Sequence, residues 1–245
     1  TLLYDNGYYV QSRNFRRQRI GNANWINKNY NFSYISNFID ELVILDISKK
    51  RDKKKFIKEL KLITRDVFVP IALGGGISKY DDAKYYFENG ADKIIINSMA
   101  IRDQKIFQKI AYNYGSSSLI ISIDVKSDLN NYFVYIDNGQ TNSSYNLEEY
   151  IKKISKLSFA EIYLNSIDRD GTGMGIDKKL LKKVNKFNHK YIITGGLGNY
   201  KHFLDGFKST NKVKAIATAN LLNFLGDSLK IVKEKLLDHK IILVR

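Results

Sequence analysis

The chain contains no cysteine, which excludes disulfide scaffolds, cysteine-ligated zinc, iron–sulfur clusters and thiol nucleophiles. Histidine is scarce: His189, His202 and His239 are too few and too scattered for a histidine-rich metal site, so no metal is expected. A single proline among many lysines, asparagines, isoleucines and tyrosines marks a compositional bias rather than a function. No run approaches the roughly 18 apolar residues of a membrane span, and the opening TLLYDNGYYV lacks the basic start and apolar stretch of a signal peptide. The expectation is a soluble, cytoplasmic protein with no membrane partner. The chain opens on Thr1 rather than Met, which leaves room for a preceding segment.

What is present suits a globular chain of 245 residues, with 44% hydrophobic and 27% charged side chains, read as one domain over 1–245. The net charge of +15 asks for an anionic partner: nucleic acid, an acidic membrane or a phosphorylated small molecule. Much of it lies in helix-like stretches, KKRDKKKFIKEL from 49 to 60 and DKKLLKKVNK from 177 to 186, which read as solvated outer faces. No recognition motif accompanies it, so no nucleic acid is expected and the phosphorylated small molecule is preferred.

Short β-branched runs alternate with amphipathic ones along the chain. The runs Leu2 to Tyr4, Glu41 to Ile47, Val69 to Leu73, Lys93 to Asn97, Leu119 to Val125, Glu161 to Asn165, Tyr191 to Thr194 and Ala215 to Thr218 predict eight strands. Helices are predicted over Ser33 to Asp40, Lys53 to Arg65, Tyr80 to Asn89, Asp103 to Tyr114, Leu147 to Ser158, Lys178 to Phe187, Tyr200 to Lys208 and Asp227 to Leu237. These are the parts of an α/β fold of the closed (β/α)8 TIM-barrel type, with an open doubly wound sheet as the competing arrangement. The chain also resembles itself at half its length. GGGISKYDDAKYYFENGADKIIINSMA from Gly74 parallels GGLGNYKHFLDGFKSTNKVKAIATANL from Gly195, 121 residues on, and DELVILDIS from Asp40 parallels AEIYLNSID from Ala160, 120 on. Two homologous half-barrels, about 1–120 and 121–245, follow.

In such a barrel the working groups stand at the carboxyl ends of the strands. Gly75 and Gly76 follow the third strand and Gly195 and Gly196 the seventh; each pair lets the backbone bend tightly and approach an anion. With Asn97 and Ser98 in one half and Ala219 and Asn220 in the other, they predict one phosphate pocket per half. Asp124 ends the fifth strand in LIISIDVK, where a carboxylate can serve as general acid or base. Its half-barrel equivalent is Leu3, so the carboxylate has no symmetric mate. The loop NSIDRDGTGMGID from 165 to 177 offers Asn165, Asp168, Asp170, Gly171 and Thr172 for covering a ligand. VQSRNFRRQRIGNANW from 10 to 25 reads as a basic loop, with Arg13, Arg16, Arg17 and Arg19 over the mouth. At the amino ends Glu41, Lys93 and Glu161 each enter an apolar run, which is costly unless they pair across the barrel bottom as a plug or gate.

IALGGGISKYDDAKYYFENGADKIIINSMA, SIDVK, EIYLNSIDRDGTGMGID, IITGGLGNYKHF and AIATANLLNF are similar, in register over nearly the whole chain, to the cyclase subunit of imidazole glycerol phosphate synthase, the HisF family. The resemblance implies a (β/α)8 barrel and a lyase- or cyclase-type synthase subunit of a glutamine amidotransferase. It implies a glutaminase subunit docked at the barrel bottom as a heterodimer, two phosphate sites, no cofactor, and an ammonia gate of Glu41, Lys93 and Glu161. The family's fourth gate residue, an arginine, would precede Thr1. Of the two family aspartates at the mouth, the second matches Asp124, the first falls on Leu3, and the lysine of the first loop falls on Gln11. Asp5 is displaced from the Leu3 position by two residues, about 6 to 7 Å along a strand.

Those departures resemble diverged paralogues in surface-polysaccharide pathways, in which ammonia delivered through the barrel turns an N-acetyl group on a sugar nucleotide into an acetamidino group. Two alternatives stand beside that expectation. One is a histidine-biosynthesis cyclase making imidazole glycerol phosphate and an aminoimidazole carboxamide ribotide; the other is a non-catalytic scaffold that binds ligand and activates the glutaminase.

Overall fold

The structure, a computed structural model, describes residues 1–129, 131–220 and 226–241. Eight parallel strands form the barrel wall: β1 (Leu2–Asp5), β4 (Leu42–Asp46), β5 (Ile71–Gly74), β6 (Lys93–Ile96), β7 (Leu119–Asp128), β10 (Glu161–Ser166), β11 (Tyr191–Thr194) and β12 (Val213–Ile216). Each pairs with the next in this order. Between β12 and β1 the Thr1 nitrogen donates to the Thr218 carbonyl at 2.8 Å. These strands are apolar on both faces because both faces are covered. Inward residues Val43, Ala72, Ile95, Ile120, Tyr163 and Ile192 pack together in the lumen, while the outward ones join the larger core beneath the helices.

The helices follow from capping and stripe. In α3 (Lys53–Thr64) the Asp52 side chain accepts from the Lys55 N–H, and Phe56, Ile57, Leu60 and Ile63 form the buried stripe. In α7 (Leu147–Ile154) Asn146 and Glu149 make a reciprocal capping box. The other outer helices are α4 (Tyr80–Glu88), α6 (Gln104–Tyr114), α8 (Lys178–Val184), α9 (Tyr200–Ser209) and α10 (Ser228–Asp238). The short α5 (Ser98–Arg102) sits at the mouth. The eighth predicted strand begins two residues early, and the LLNF end of the AIATANLLNF motif lies outside the described residues. The helix predicted from Ser33 is instead α1 (Ala23–Asn29), α2 (Phe32–Ile35) and a 3-10 turn over Ser36–Phe38.

The larger correction concerns the mouth. The stretch read as a basic loop is an antiparallel hairpin, β2 (Tyr8–Arg13) and β3 (Arg16–Gly21), paired with β1 through Asp5 and Tyr8. Its two-residue turn, Asn14 and Phe15 at φ +48° and +63°, has the geometry that suits twisted strands but lacks the glycine that would have announced it. A second hairpin, β8 (Asn131–Ile136) and β9 (Thr141–Asn146), extends from β7 at the equivalent place in the other half. The two tips meet: Gly139 packs on the Phe15 ring so closely that a Cβ there would overlap it.

Candidate active site

The carboxyl ends of the strands enclose a cavity of about 290 Å³ beneath the hairpins. On its second-half wall stands Asp124, placed by the pairing of β7 with β10 directly beside Asn165. The Asn165 amide donates to Asp124 Oδ1 at 3.1 Å, and the Asn97 amide donates to Oδ2 at 3.0 Å. Burial pushes the Asp124 carboxyl up to about 7; Asn165 pulls it back, the charge of Asp170 pushes it further, and Asn97 pulls it back again. A carboxyl poised there can both give and take a proton at neutral pH. Asn165→Ala removes one of the donors that stabilise the anion. Any Asp124-dependent step should then move its pH midpoint to the alkaline side by about one unit, read from the pH–rate profile.

Across the cavity stands Leu3, paired in register with Leu45. Asp5 does not stand in for an acid there: Arg17 holds it at 3.0 Å and the Asn6 amide at 2.8 Å. Gln11, on the hairpin, donates to Asn220 Oδ1 at 3.3 Å.

Asp170 is buried, and one of its oxygens accepts from the Ser12 hydroxyl and, at 3.0 Å, from the Phe15 N–H, while its carbonyl accepts from the Asn14 N–H. Burial raises its pKa and these two carboxylate contacts pull it back. Gly171 lies against the Ser12 carbonyl, where a Cβ would not fit, and Thr172 closes its own turn on the Arg169 carbonyl at 2.8 Å. The loop after β10 thus fastens the first hairpin, and Asp170 contributes to the cavity wall at the same time.

The two glycine turns differ. Gly75 and Gly76, at φ +100° and +65°, line the cavity with Asn97 and Ser98, beside Arg51, whose stem crosses Gly76. Gly195 and Gly196 are buried beneath the Gly173–Gly175 loop, with the Gly175 N–H donating to the Gly196 carbonyl at 2.7 Å; Ala219 lines the cavity on that side. Of the four arginines in the first hairpin, Arg17 lines the cavity, Arg19 lies over the Tyr8 ring at 4.7 Å, and Arg13 and Arg16 are exposed.

At the barrel bottom the charges pair as the sequence predicts. Lys93 Nζ lies 2.7 Å from Glu41 Oε2 and 3.4 Å from Glu161 Oε2. Burial raises the Glu41 pKa and Lys93 only partly reverses it. For Lys93 burial lowers the pKa, but the two carboxylates outweigh it and the net shift is upward. Glu41 Oε1 is buried without a partner among the described residues. A cavity of about 410 Å³ opens there, lined by these three and by Thr1, Pro70 and Lys214.

Sequence reasoning missed Arg51, Arg102 and Tyr163. Tyr163 could have been found by alternation, since Glu161, Tyr163 and Asn165 share the inward face of β10; its hydroxyl meets Thr1 Oγ1 at 3.0 Å, midway along the lumen. Among the described residues no group of three or more His, Asp or Glu could hold a metal ion, and no helix is long and apolar enough to cross a membrane.

Comparison with known proteins agrees with this architecture. The family model described as "Histidine biosynthesis protein" matches residues 5–225. A Parasynechococcus marenigrum protein named imidazole glycerol phosphate synthase subunit hisF2 is 46% identical over 97% of this chain and 89% of its own length. Imidazole glycerol phosphate synthase subunit HisF of Prosthecochloris aestuarii is 36% identical over 85% of this chain and 84% of its own, and that of Chlorobaculum parvum 35% identical over 85% and 83%. An eight-stranded barrel with its cavity at the carboxyl ends, matched along nearly its whole length, therefore belongs to the histidine biosynthesis protein family and is similar within it to the HisF subunits.

Proposed function

We propose that this barrel is the synthase subunit of a glutamine amidotransferase that converts an N-acetyl group on a sugar nucleotide into an acetamidino group. Ammonia comes from a glutaminase partner docked at the barrel bottom. The observation that carries this reading is Leu3 opposite Asp124: that strand position is apolar where a two-acid cyclisation requires a second carboxylate, and the first-half carboxylate of the cavity, Asp46, stands instead at the end of β4, in register with Tyr4. Losing one of an acid/base pair costs on the order of 10² to 10⁴ in rate.

Amidine formation can be run by one carboxyl that changes role. The ammonia nitrogen adds to the acetamido carbon, and Asp124, carrying a proton at neutral pH, gives it to the carbonyl oxygen. The carboxylate so formed takes a proton from the added nitrogen and returns it to the hydroxyl, the C–O bond breaks and the oxygen leaves as water, and Asp124, ionised beside the amidinium product, regains its proton from solvent. Nothing is oxidised or reduced. Asn97 and Asn165 hold the carboxylate in place through both phases. In this reading ammonia enters at the Glu41, Lys93 and Glu161 cluster and has to pass the packed side chains of the lumen, Tyr163 among them, to reach this site; Glu41 Oε1, without a partner among the described residues, leaves that cluster room for a further donor.

A second reading, the histidine-pathway cyclase, is favoured by the names of the relatives at 35% and 36% identity and by the glycine turns present in both halves. One assay separates the two. The purified chain is given concentrated ammonium salt with either an N-acetylated sugar nucleotide or the bis-phosphorylated ribonucleotide. Conversion of the first, seen by mass spectrometry as replacement of O by NH, is the expected result. Rapid turnover of the second alone would sink the acetamidino reading and show that Leu3 is tolerated.

A further inference from the structure

The two halves share a scaffold but not its charge. The first hairpin carries Arg13, Arg16, Arg17 and Arg19, whereas the second, from Asn131 to Asn146, contains no Lys or Arg. Arg51 leans over Gly76 in the first half; 120 residues on, the equivalent position is Gly171. Arg102 follows Ser98 on α5, whereas Ala219 to Gly226, the matching stretch of sequence, again has no Lys or Arg. Among the described residues all three arginines that line the cavity, Arg17, Arg51 and Arg102, come from the first half, while three of its four lining carboxylates, Asp124, Asp137 and Asp170, come from the second and Asp46 from the first. Arg169, a second-half cation in the loop after β10, has its Cβ beside Gly196 and does not line the cavity.

These guanidinium groups are available to a ligand. Arg51 Nε reaches a main-chain oxygen, that of Asp46, at 3.3 Å. Arg102 is held by Asp137 at 2.7 Å, but both side chains are well exposed, at 58% and 38%, and such a pair contributes little. A planar guanidinium exchanges an exposed carboxylate for a phosphate readily, because the fork binds both in the same way.

We propose that Arg51 and Arg102 clamp a diphosphate on the first-half wall, and that the ligand is anionic at that end alone. This orients the ligand: its diphosphate lies over Gly76 and Ser98, where it displaces Asp137 from Arg102, and its uncharged end reaches Asp124 and Asp170. A group that becomes an amidinium cation would there face Asp124 and Asp170. The proposal rests on the reading that this cavity takes a phosphorylated substrate, but it is tested without turnover.

The test is calorimetric titration of the purified chain with inorganic pyrophosphate at physiological ionic strength. One pyrophosphate per chain is expected, bound about tenfold more tightly than orthophosphate. Arg51→Gln and Arg102→Gln should each weaken it by about tenfold. Arg169→Gln, which removes the same charge from the other half, should leave it unchanged, and melting curves should show all three variants folded. Two equivalent sites per chain, equal weakening by all three substitutions, or no binding at all would each overturn the proposal. Pyrophosphate held by the two arginines in a chain that makes no amidine would sink the proposed reaction and leave this inference standing. Amidine formation indifferent to both arginines would do the reverse.

Discussion

Asp124→Asn should abolish product formation, lowering it by about 10² to 10⁴, and should at the same time make the folded chain more stable at alkaline pH. The two effects share one cause. Burial raises the Asp124 pKa to about 7, whereas the unfolded chain holds it near its ordinary value of 3.8. The native state therefore binds a proton that the unfolded state has lost, and the stabilisation this gives is complete below the unfolded value. It declines as pH rises and is gone above about 7. At pH 8 the ionised carboxylate costs the fold about 4 kcal/mol relative to its protonated form. An asparagine has no charge to bury, but Asn97 and Asn165 would face a single acceptor oxygen, so the net gain is smaller, about 1 to 3 kcal/mol. Thermal melts of both proteins at pH 5 and pH 8 check this. A gap that fails to widen with pH would show that Asp124 is an ordinary solvated carboxylate. Under the proposed function, the rate of the glutaminase in complex with this chain should be unaffected, which separates lost chemistry from lost assembly.

Gly75→Ala should destabilise the fold more than any surface substitution, by about 3 to 5 kcal/mol. Gly75 sits at φ +100°, outside the comfortable range of an L-residue, and a Cβ there would overlap the Asp46 carbonyl at the end of β4. Neither strand can yield easily, since β4 and β5 are paired from Leu42 to Gly74 in the barrel wall. Gly90 supplies the comparison: its φ is +99° but a Cβ would meet nothing within 4 Å. Gly90→Ala should therefore cost only the backbone part, about 1 to 2 kcal/mol. Denaturant titration of the two variants isolates the steric contribution, and equal losses would refute the close approach.

Much of this architecture is legible in the sequence for definite reasons. The barrel strands are β-branched runs buried on both faces, and the constant offset between Gly74 and Gly195 gives the repeat. The charges of Glu41, Lys93 and Glu161 stand out because each opens an apolar run, and the structure brings them together. What was hidden is the mouth. The first hairpin turns at Asn14 and Phe15 with no glycine, and its register puts Arg17 opposite Ser12, so that charge masks the alternation. The second hairpin, with Thr, Asn and Ser in β9, carries almost no apolar signal. Asp170 was legible as a loop carboxylate but not as the residue that fastens the first hairpin, because Ser12 and Phe15 are more than 150 residues away in sequence. The site is likewise half readable: Asp124 follows from strand position, whereas its two asparagine donors depend on which strands are neighbours.

The contact between Phe15 and Gly139 means that the roof of the cavity has no independent halves. One hairpin grows from β1 and the other from β7, so their tips meet above the mouth in addition to the hold that Asp170 has on the first. Displacing either tip disturbs the other, and the roof over the cavity moves as one piece. Position 139 stays without a side chain as long as that contact is kept, because any Cβ there would push the Phe15 ring, and with it the first hairpin, off the mouth.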